Sequence, residues 1–137
     1  MSPELKFSDL VNFLDRQPDV AAAYLFGSYA RGRATSGSDV DIAVLFNRPE
    51  KDSFTRFERR LELEIALEES VKRPVQVIDL ETAPLLLQRQ VRKHGKLILE
   101  KDRRRRVNFE VRSRRAYFDM QRVYRLRNAA ILKALGE

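Results

Sequence analysis

The chain contains no cysteine, so its 137 residues form no disulfide scaffold, thiolate metal site or cysteine nucleophile. Its single histidine, His94, excludes a His-rich metal cluster and disfavours a Ser-His-Asp hydrolase. No apolar run approaches the roughly 18 residues that a membrane-spanning helix needs, and the first ten residues hold no apolar signal core. We therefore expect a soluble, cytoplasmic protein without a membrane partner.

Composition and charge divide the chain into two parts. Hydrophobic residues make up 43% of the sequence and charged residues 34%, which is enough apolar material for a folded core. The net charge is +7, yet residues 1–100 hold 15 basic and 16 acidic side chains, whereas residues 101–137 hold 12 and 4. The positive excess therefore lies in the last quarter, and we predict a near-neutral body over 1–101 and a basic helical tail over 102–137.

The apolar pattern predicts the element order αβ(loop)βαβαβα. Short apolar runs predict strands, and longer amphipathic stretches predict helices. The expected strands are 20–26, 39–46, 75–80 and 97–99, and the main expected helices are 53–72, 82–95 and 102–135. The last segment is expected to form one long helix or two abutting ones. On the helix 53–72, we place Phe54, Phe57, Leu61, Ile65 and the Leu67 region on one apolar side. This order predicts an α/β fold with a small mixed sheet flanked by helices, followed by a helical tail.

Two carboxylates stand close together at the start of the second expected strand. Asp39 and Asp41 are two residues apart, so both point to one side of the strand, while Val40, Ile42 and Val44 point to the other. Hard divalent cations such as Mg²⁺ take oxygen ligands and suit such a pair. Taken alone, the pattern is more typical of an exposed strand face that tolerates two acids, and the metal-site interpretation depends on the loop that precedes the strand.

A glycine-rich turn directly follows the first expected strand. Gly27 lets the backbone approach a ligand, consecutive amides there can bind an anion, and the Ser28 hydroxyl can donate to a phosphate oxygen. Arg31 and Arg33 add nearby positive charge. The turn lacks the G-K-[ST] element of a Walker A loop and is not GxGxxG. A phosphate-binding turn followed closely by a metal-binding pair is the arrangement that a nucleoside triphosphate with Mg²⁺ requires. Tyr29, in the same turn, either stacks on a base or covers the turn.

A third carboxylate ends the third expected strand. Val75, Val77 and Asp79 share one face of that strand. If it lies beside the strand of Asp39 and Asp41, Asp79 completes a three-carboxylate cluster, which suits two metal ions about 3.5–4 Å apart. The alternative is that Asp79 caps the end of the strand.

These motifs resemble those of a known family. Gly27-Ser-x-Ala-Arg-Gly followed by Ser38-Asp-x-Asp-Ile resembles the signature of the DNA polymerase β-like nucleotidyltransferases, in their minimal form. The resemblance covers about residues 8–101 and implies a palm-like mixed-sheet fold. It also implies that Gly27 and Ser28 hold the triphosphate, that Asp39 and Asp41 bind Mg²⁺, that Arg31 is the motif arginine, and that Asp79 is the third carboxylate.

The tail resembles the C-terminal segment of MntA-type antitoxins over residues 108–119. Members of that family pair with a HEPN-domain RNase toxin and transfer AMP from ATP to a toxin tyrosine. The tail itself mixes arginines with apolar residues at helical spacing. It therefore suits docking to a partner, packing on the body with a solvated basic face, or binding of nucleic acid, and Glu110 and Asp119 disfavour the last.

Three functions remain compatible with the sequence. The first is an Mg²⁺-dependent antitoxin adenylyltransferase, in which ATP is the substrate and Asp39, Asp41 and Asp79 hold the metal, with Asp79 helping to deprotonate the attacking hydroxyl. The second is a nucleotidyltransferase that acts on a small molecule such as an aminoglycoside, although 137 residues leave little room for a further substrate domain. The third is a non-catalytic antitoxin that neutralises its partner by contact alone.

Overall fold

The computed structural model describes residues 7–30, 32, 39–48 and 52–136 of the chain. The helices are α1 (Phe7–Asp15), α2 (Ser53–Val71), α3 (Leu85–His94) and α4 (Arg103–Leu135), with a 3₁₀ turn over Leu80–Thr82. The strands are β1 (Val20–Phe26), β2 (Val40–Phe46), β3 (Val75–Asp79) and β4 (Lys96–Glu100). The predicted element order is confirmed, and the C-terminal segment forms one continuous helix.

The strands form one mixed sheet in the order β3-β2-β1-β4. β1 is antiparallel to both β2 and β4, while β2 and β3 are parallel and are joined by the crossover helix α2. The predicted fold class, a small mixed sheet flanked by helices, is confirmed. Since Phe26 at the end of β1 pairs with Asp41 near the start of β2, the turn after β1 is brought beside the carboxylate pair.

Helices cover both faces of the sheet. Val40, Ile42 and Val44 pack into a core with Leu10 and Leu14 of α1 and Leu63 and Leu67 of α2. The alternate residues of β2, Ala43 and Leu45, pack on the opposite face with Val91 of α3 and Phe109 of α4. Because side chains alternate between the two faces, only strand residues on the same face of the sheet can contact each other.

The predicted apolar side of α2 is wrong for most of its residues. Phe54, Phe57, Leu61 and Ile65 are exposed, by 66%, 53%, 37% and 51% respectively, whereas Leu63 and Leu67 are buried. The side of α2 that faces the body also carries two arginines, and their acidic partners lie on the body. Arg59 pairs with Asp19, and Arg56 pairs with Asp79. These ion pairs and two leucines orient the helix, so its more continuous apolar stripe is left facing outward.

The two halves of α4 have different surroundings. Phe109, Ser113 and Tyr117 are buried against the body, and the Ser113 hydroxyl donates to Gln88 of α3 at 2.6 Å. From Arg122 onward every described residue is exposed. The first half of the predicted tail therefore packs against the body, and the second half extends away from it. Within the described ranges, no helix is both long and apolar enough to cross a membrane.

Candidate active site

The turn after β1 lies directly against Asp41. Gly27 adopts a left-handed backbone conformation with φ +73°, and a Cβ atom placed there would lie 2.2 Å from Oδ2 of Asp41. Ordinary contact begins near 3.4 Å, so a side chain at this position would collide with the carboxylate. Both the dihedral angle and the contact therefore require glycine. The backbone that the sequence predicts to bind phosphate and the carboxylate predicted to bind a cation are consequently in contact.

Asp39 and Asp41 form a close pair of like charges. Asp39 is exposed just before β2, and Asp41 is half-buried on the face of the sheet opposite Val40 and Ile42. Burial raises the pKa of Asp41, and the neighbouring charge of Asp39 raises it further. Among the described residues, none forms a hydrogen bond or ion pair with either carboxylate. Two carboxylate groups at one position, with no cationic partner among the described residues, fit a hard divalent cation.

The residues after Gly27 close the turn over the core. Ser28 is half-buried beside Gly27, and Ala30 is buried in the core between the sheet and α1 and α2. Tyr29 packs against the same core, and its hydroxyl is buried without a partner among the described residues. This placement favours the interpretation that Tyr29 covers the turn. Arg31 lies outside the described residues, as does Arg33, so a phosphate contact by Arg31 stays a prediction.

The structure does not bring Asp79 to the carboxylate pair, and the predicted three-carboxylate cluster is wrong. Asp79 pairs in register with Val44, three positions along β2 from Asp41 and about 10 Å away. It lies on the opposite face, where Val75 and Val77 join the core with α1 and α2. Among the described residues, no group of three or more His, Cys, Asp or Glu side chains could hold a metal ion.

Asp79 instead forms a buried ion pair with α2. Arg56 donates from Nε to Oδ2 at 2.6 Å and from Nη2 to Oδ1 at 2.9 Å. The carboxylate side chain is 5% exposed and the guanidinium 12%. The pair raises the pKa of Arg56, chiefly through the hydrogen bond to Asp79. This two-pronged bond ties α2 to the end of β3, so Asp79 has a structural role close to the strand-end alternative.

The residue beside Asp41 on β3 is Gln76. The two are register partners on adjacent parallel strands, so their side chains leave the same face of the sheet about 5 Å apart. Gln76 is exposed. Sequence reasoning missed it because an amide carries no charge, yet the signal was present: if Val75 and Val77 face the core, then Gln76 must face the other way.

A cavity of about 540 Å³ lies elsewhere, at the end of the sheet where β1 begins and β2 ends. Its lining includes Asp19, Phe46, Arg56 and Arg59. Arg56 and Arg59 both bond to carboxylates there, since they pair with Asp79 and Asp19. The cavity is at the opposite end from Gly27 and Asp41, so it contributes nothing to the candidate active site.

Comparison with protein families matches residues 8–104 to the family described as "Polymerase beta, Nucleotidyltransferase". Among curated proteins, the chain is 38% identical over 82 residues to the protein adenylyltransferase MntA of Shewanella oneidensis. That match covers 60% of this chain and 55% of the relative. The chain thus spans about half the length of that relative.

Solved structures are similar over nearly the whole chain, α4 included. One chain of a toxin–antitoxin complex with AMP-PNP is 28% identical, with a TM-score of 0.74, over 97% of this chain and 100% of that one. Another similar structure holds a tri-AMPylated HEPN toxin of Shewanella oneidensis in complex with an MNT antitoxin. It is 27% identical, with a TM-score of 0.62, over 96% of each chain.

Proposed function

The chain belongs to the polymerase β nucleotidyltransferase family, and from that premise we propose that it is an antitoxin adenylyltransferase, which transfers AMP from ATP to a tyrosine of a cognate HEPN RNase toxin. The observation that carries the proposal is the contact between Gly27 and the Asp41 carboxylate. This contact supports the proposal, because a single triphosphate could then reach both the turn that would bind phosphate and the carboxylates that would bind the cation.

In this proposal, the turn and the carboxylate pair share the nucleotide. The backbone at Gly27 and the hydroxyl of Ser28 bind phosphate oxygens, and Arg31 adds positive charge near the leaving group. Asp39 and Asp41 would hold Mg²⁺, which would supply positive charge to offset that of the phosphates. The MntA relative is named an adenylyltransferase, and a similar structure holds AMP-PNP, which supports ATP as the substrate.

The reaction is an in-line displacement at the α-phosphorus. The tyrosine oxygen of the toxin forms the new bond to phosphorus, the bond between the α-phosphorus and the bridging oxygen breaks, and pyrophosphate leaves. The phenol proton passes to solvent water. Asp79 is not assigned as its acceptor, because it pairs with Arg56 and its register partner on β2 is Val44, three positions from Asp41. The residues of the site therefore act chiefly by positioning the nucleotide beside its acceptor.

Docking of the toxin is assigned to the second half of α4, within the predicted tail 102–137. After Tyr117 the helix continues for about 27 Å, and Val123, Tyr124, Leu126 and Leu132 are all more than half exposed. Basic side chains, among them Arg122 and Arg127, lie between these apolar residues. An exposed helix that carries both suits a groove on a partner protein. The AMPylated toxin in the complex with an MNT antitoxin supports a HEPN toxin as the partner.

The test is transfer of label from α-labelled ATP to the product of the neighbouring gene, as the candidate toxin, in the presence of Mg²⁺. We expect label on the toxin with the wild-type chain and none with Asp39→Asn, while the complex still forms. Label that persists in the variant would contradict the cation assignment. A stable complex without label in the wild type would favour a binding-only antitoxin, and label on an added aminoglycoside alone would favour the small-molecule enzyme.

A further inference from the structure

Because Asp79 pairs with Arg56 of α2, it is not available as the third ligand of the cation site. The face of the sheet that carries Asp41 is defined by register: Phe26 of β1 and Gln76 of β3 are its partners on either side. Phe26 is apolar and packs toward the core on the α3 and α4 side. Gln76 is therefore the polar side chain that the sheet places beside Asp41.

We propose that Gln76 is the third residue of the cation site, so that the site consists of two carboxylates and one neutral amide. The proposal rests on the nucleotidyltransferase function assigned above. Asp39 and Asp41 contribute two negative charges, and Gln76 contributes an oxygen without charge. Amide oxygens are accepted ligands for hard cations, but they attract them less than carboxylates do.

Two consequences follow for the way the site works. First, two carboxylates suit one divalent cation, and the expectation of two ions rested on a cluster with Asp79. Second, a site of reduced negative charge binds a free cation weakly, so the cation is expected to arrive with the triphosphate, whose oxygens complete its ligands. The exposure of Gln76 at the edge strand β3 leaves its side chain accessible to the nucleotide.

The proposal predicts that a carboxylate at this position strengthens cation binding. Gln76→Glu keeps the side-chain length and adds a charge beside Asp41. We expect the dissociation constant for Mn²⁺, measured by isothermal titration without nucleotide, to fall roughly tenfold. The matched control is Gln121→Glu on α4, where Gln121 bonds to the hydroxyl of Tyr117. The same charge change there should leave the constant within about twofold of wild type, because a half-buried charge outside the cation site is still screened by solvent and salt.

A second variant separates Gln76 from Asp79. Asp79→Asn removes the charge that the sequence favoured as the third ligand, and we expect it to leave Mn²⁺ binding unchanged. The proposal is overturned if Gln76→Glu binds Mn²⁺ no better than wild type, or if Asp79→Asn weakens binding as Asp41→Asn does. A failure of the proposed function is distinguished by a different measurement. AMP transfer would then be absent, whereas the Mn²⁺ titrations would still report whether Gln76 contributes to the cation site.

Discussion

Replacing Gly27 by alanine tests the contact on which the proposed function depends. Two effects are expected. Alanine in the left-handed conformation at φ +73° costs about 1–2 kcal/mol in stability, which lowers Tm by roughly 3–8 °C in a chain of this size. In addition, the new Cβ would lie 2.2 Å from Oδ2 of Asp41, so the carboxylate must move by about 1 Å or more.

The second effect should dominate the activity. A displacement of about 1 Å at a catalytic group costs on the order of 100-fold in rate, so Gly27→Ala should lose at least that much AMP transfer. The chain supplies a matched control in Gly32, which has φ +68° and where a Cβ atom would meet nothing within 4 Å among the described residues. Gly32→Ala carries the same backbone strain without the collision.

The assay compares both variants in label transfer to the toxin and in thermal unfolding. Similar losses of Tm, combined with a large loss of transfer in Gly27→Ala alone, would support the reasoning. The reasoning is refuted if the two variants transfer AMP at equal rates, because strain at the turn would then explain everything and the contact with Asp41 would carry no function.

Three further predictions concern charge and packing. Since burial and Asp39 raise the pKa of Asp41, the folded state binds this proton more tightly than the unfolded state does. Wild type should therefore gain stability relative to Asp41→Asn as the pH falls through the raised pKa toward the ordinary value of 3.8, and chemical denaturation at a series of pH values measures that gain. Asp79→Asn should lower the unfolding free energy by roughly 3 kcal/mol, because it leaves the buried Arg56 without its main partner, yet the folded variant should transfer AMP at the wild-type rate; a catalytic loss without a stability loss would contradict this. The double variant Val123→Glu and Leu126→Glu should leave Tm within the effect of about 0.5 kcal/mol expected at exposed positions and should abolish co-purification with the toxin, whereas unchanged binding would place the docking surface elsewhere.

Local patterns in the sequence were sufficient for most of the fold. The predicted strands at 20–26 and 75–80 are short and bounded by breakers; β1 coincides with the first, and β3 ends one residue earlier than the second, at Asp79. The absence of proline and of internal glycine after residue 102 predicted one long helix or two abutting ones, and α4 is one continuous helix. These features depend on neighbours along the chain, which is why periodicity and breakers revealed them.

The same local reasoning failed on α2, which has two apolar sides, and on β3, which carries two polar side chains that could face the site. α2 carries apolar side chains on both sides, and the longer stripe through Phe57 and Ile65 faces outward, because Arg56 and Arg59 pair with acids on the body. Asp79 was predicted as the third ligand because it carries a charge, and the neutral Gln76 was not considered. In the sheet, the face on which a side chain lies is decided by its parity, whatever its charge.

The sequence by itself determined the chemistry available to the protein: a glycine turn, a nearby pair of aspartates and a basic helical end, all read from residues close along the chain. The tertiary structure alone decided which distant groups meet. The antiparallel register of β1 and β2 placed Gly27 against Asp41, and the parallel register of β2 and β3 placed Gln76 beside Asp41 while Asp79 went to Arg56. Strand pairing joins residues that are distant in sequence, and a shift of one residue moves each side chain to the other face. For that reason Gly27, Asp39 and Asp41 could be identified from local sequence, whereas the neighbour of Asp41 on β3 could be identified only from the register of the sheet.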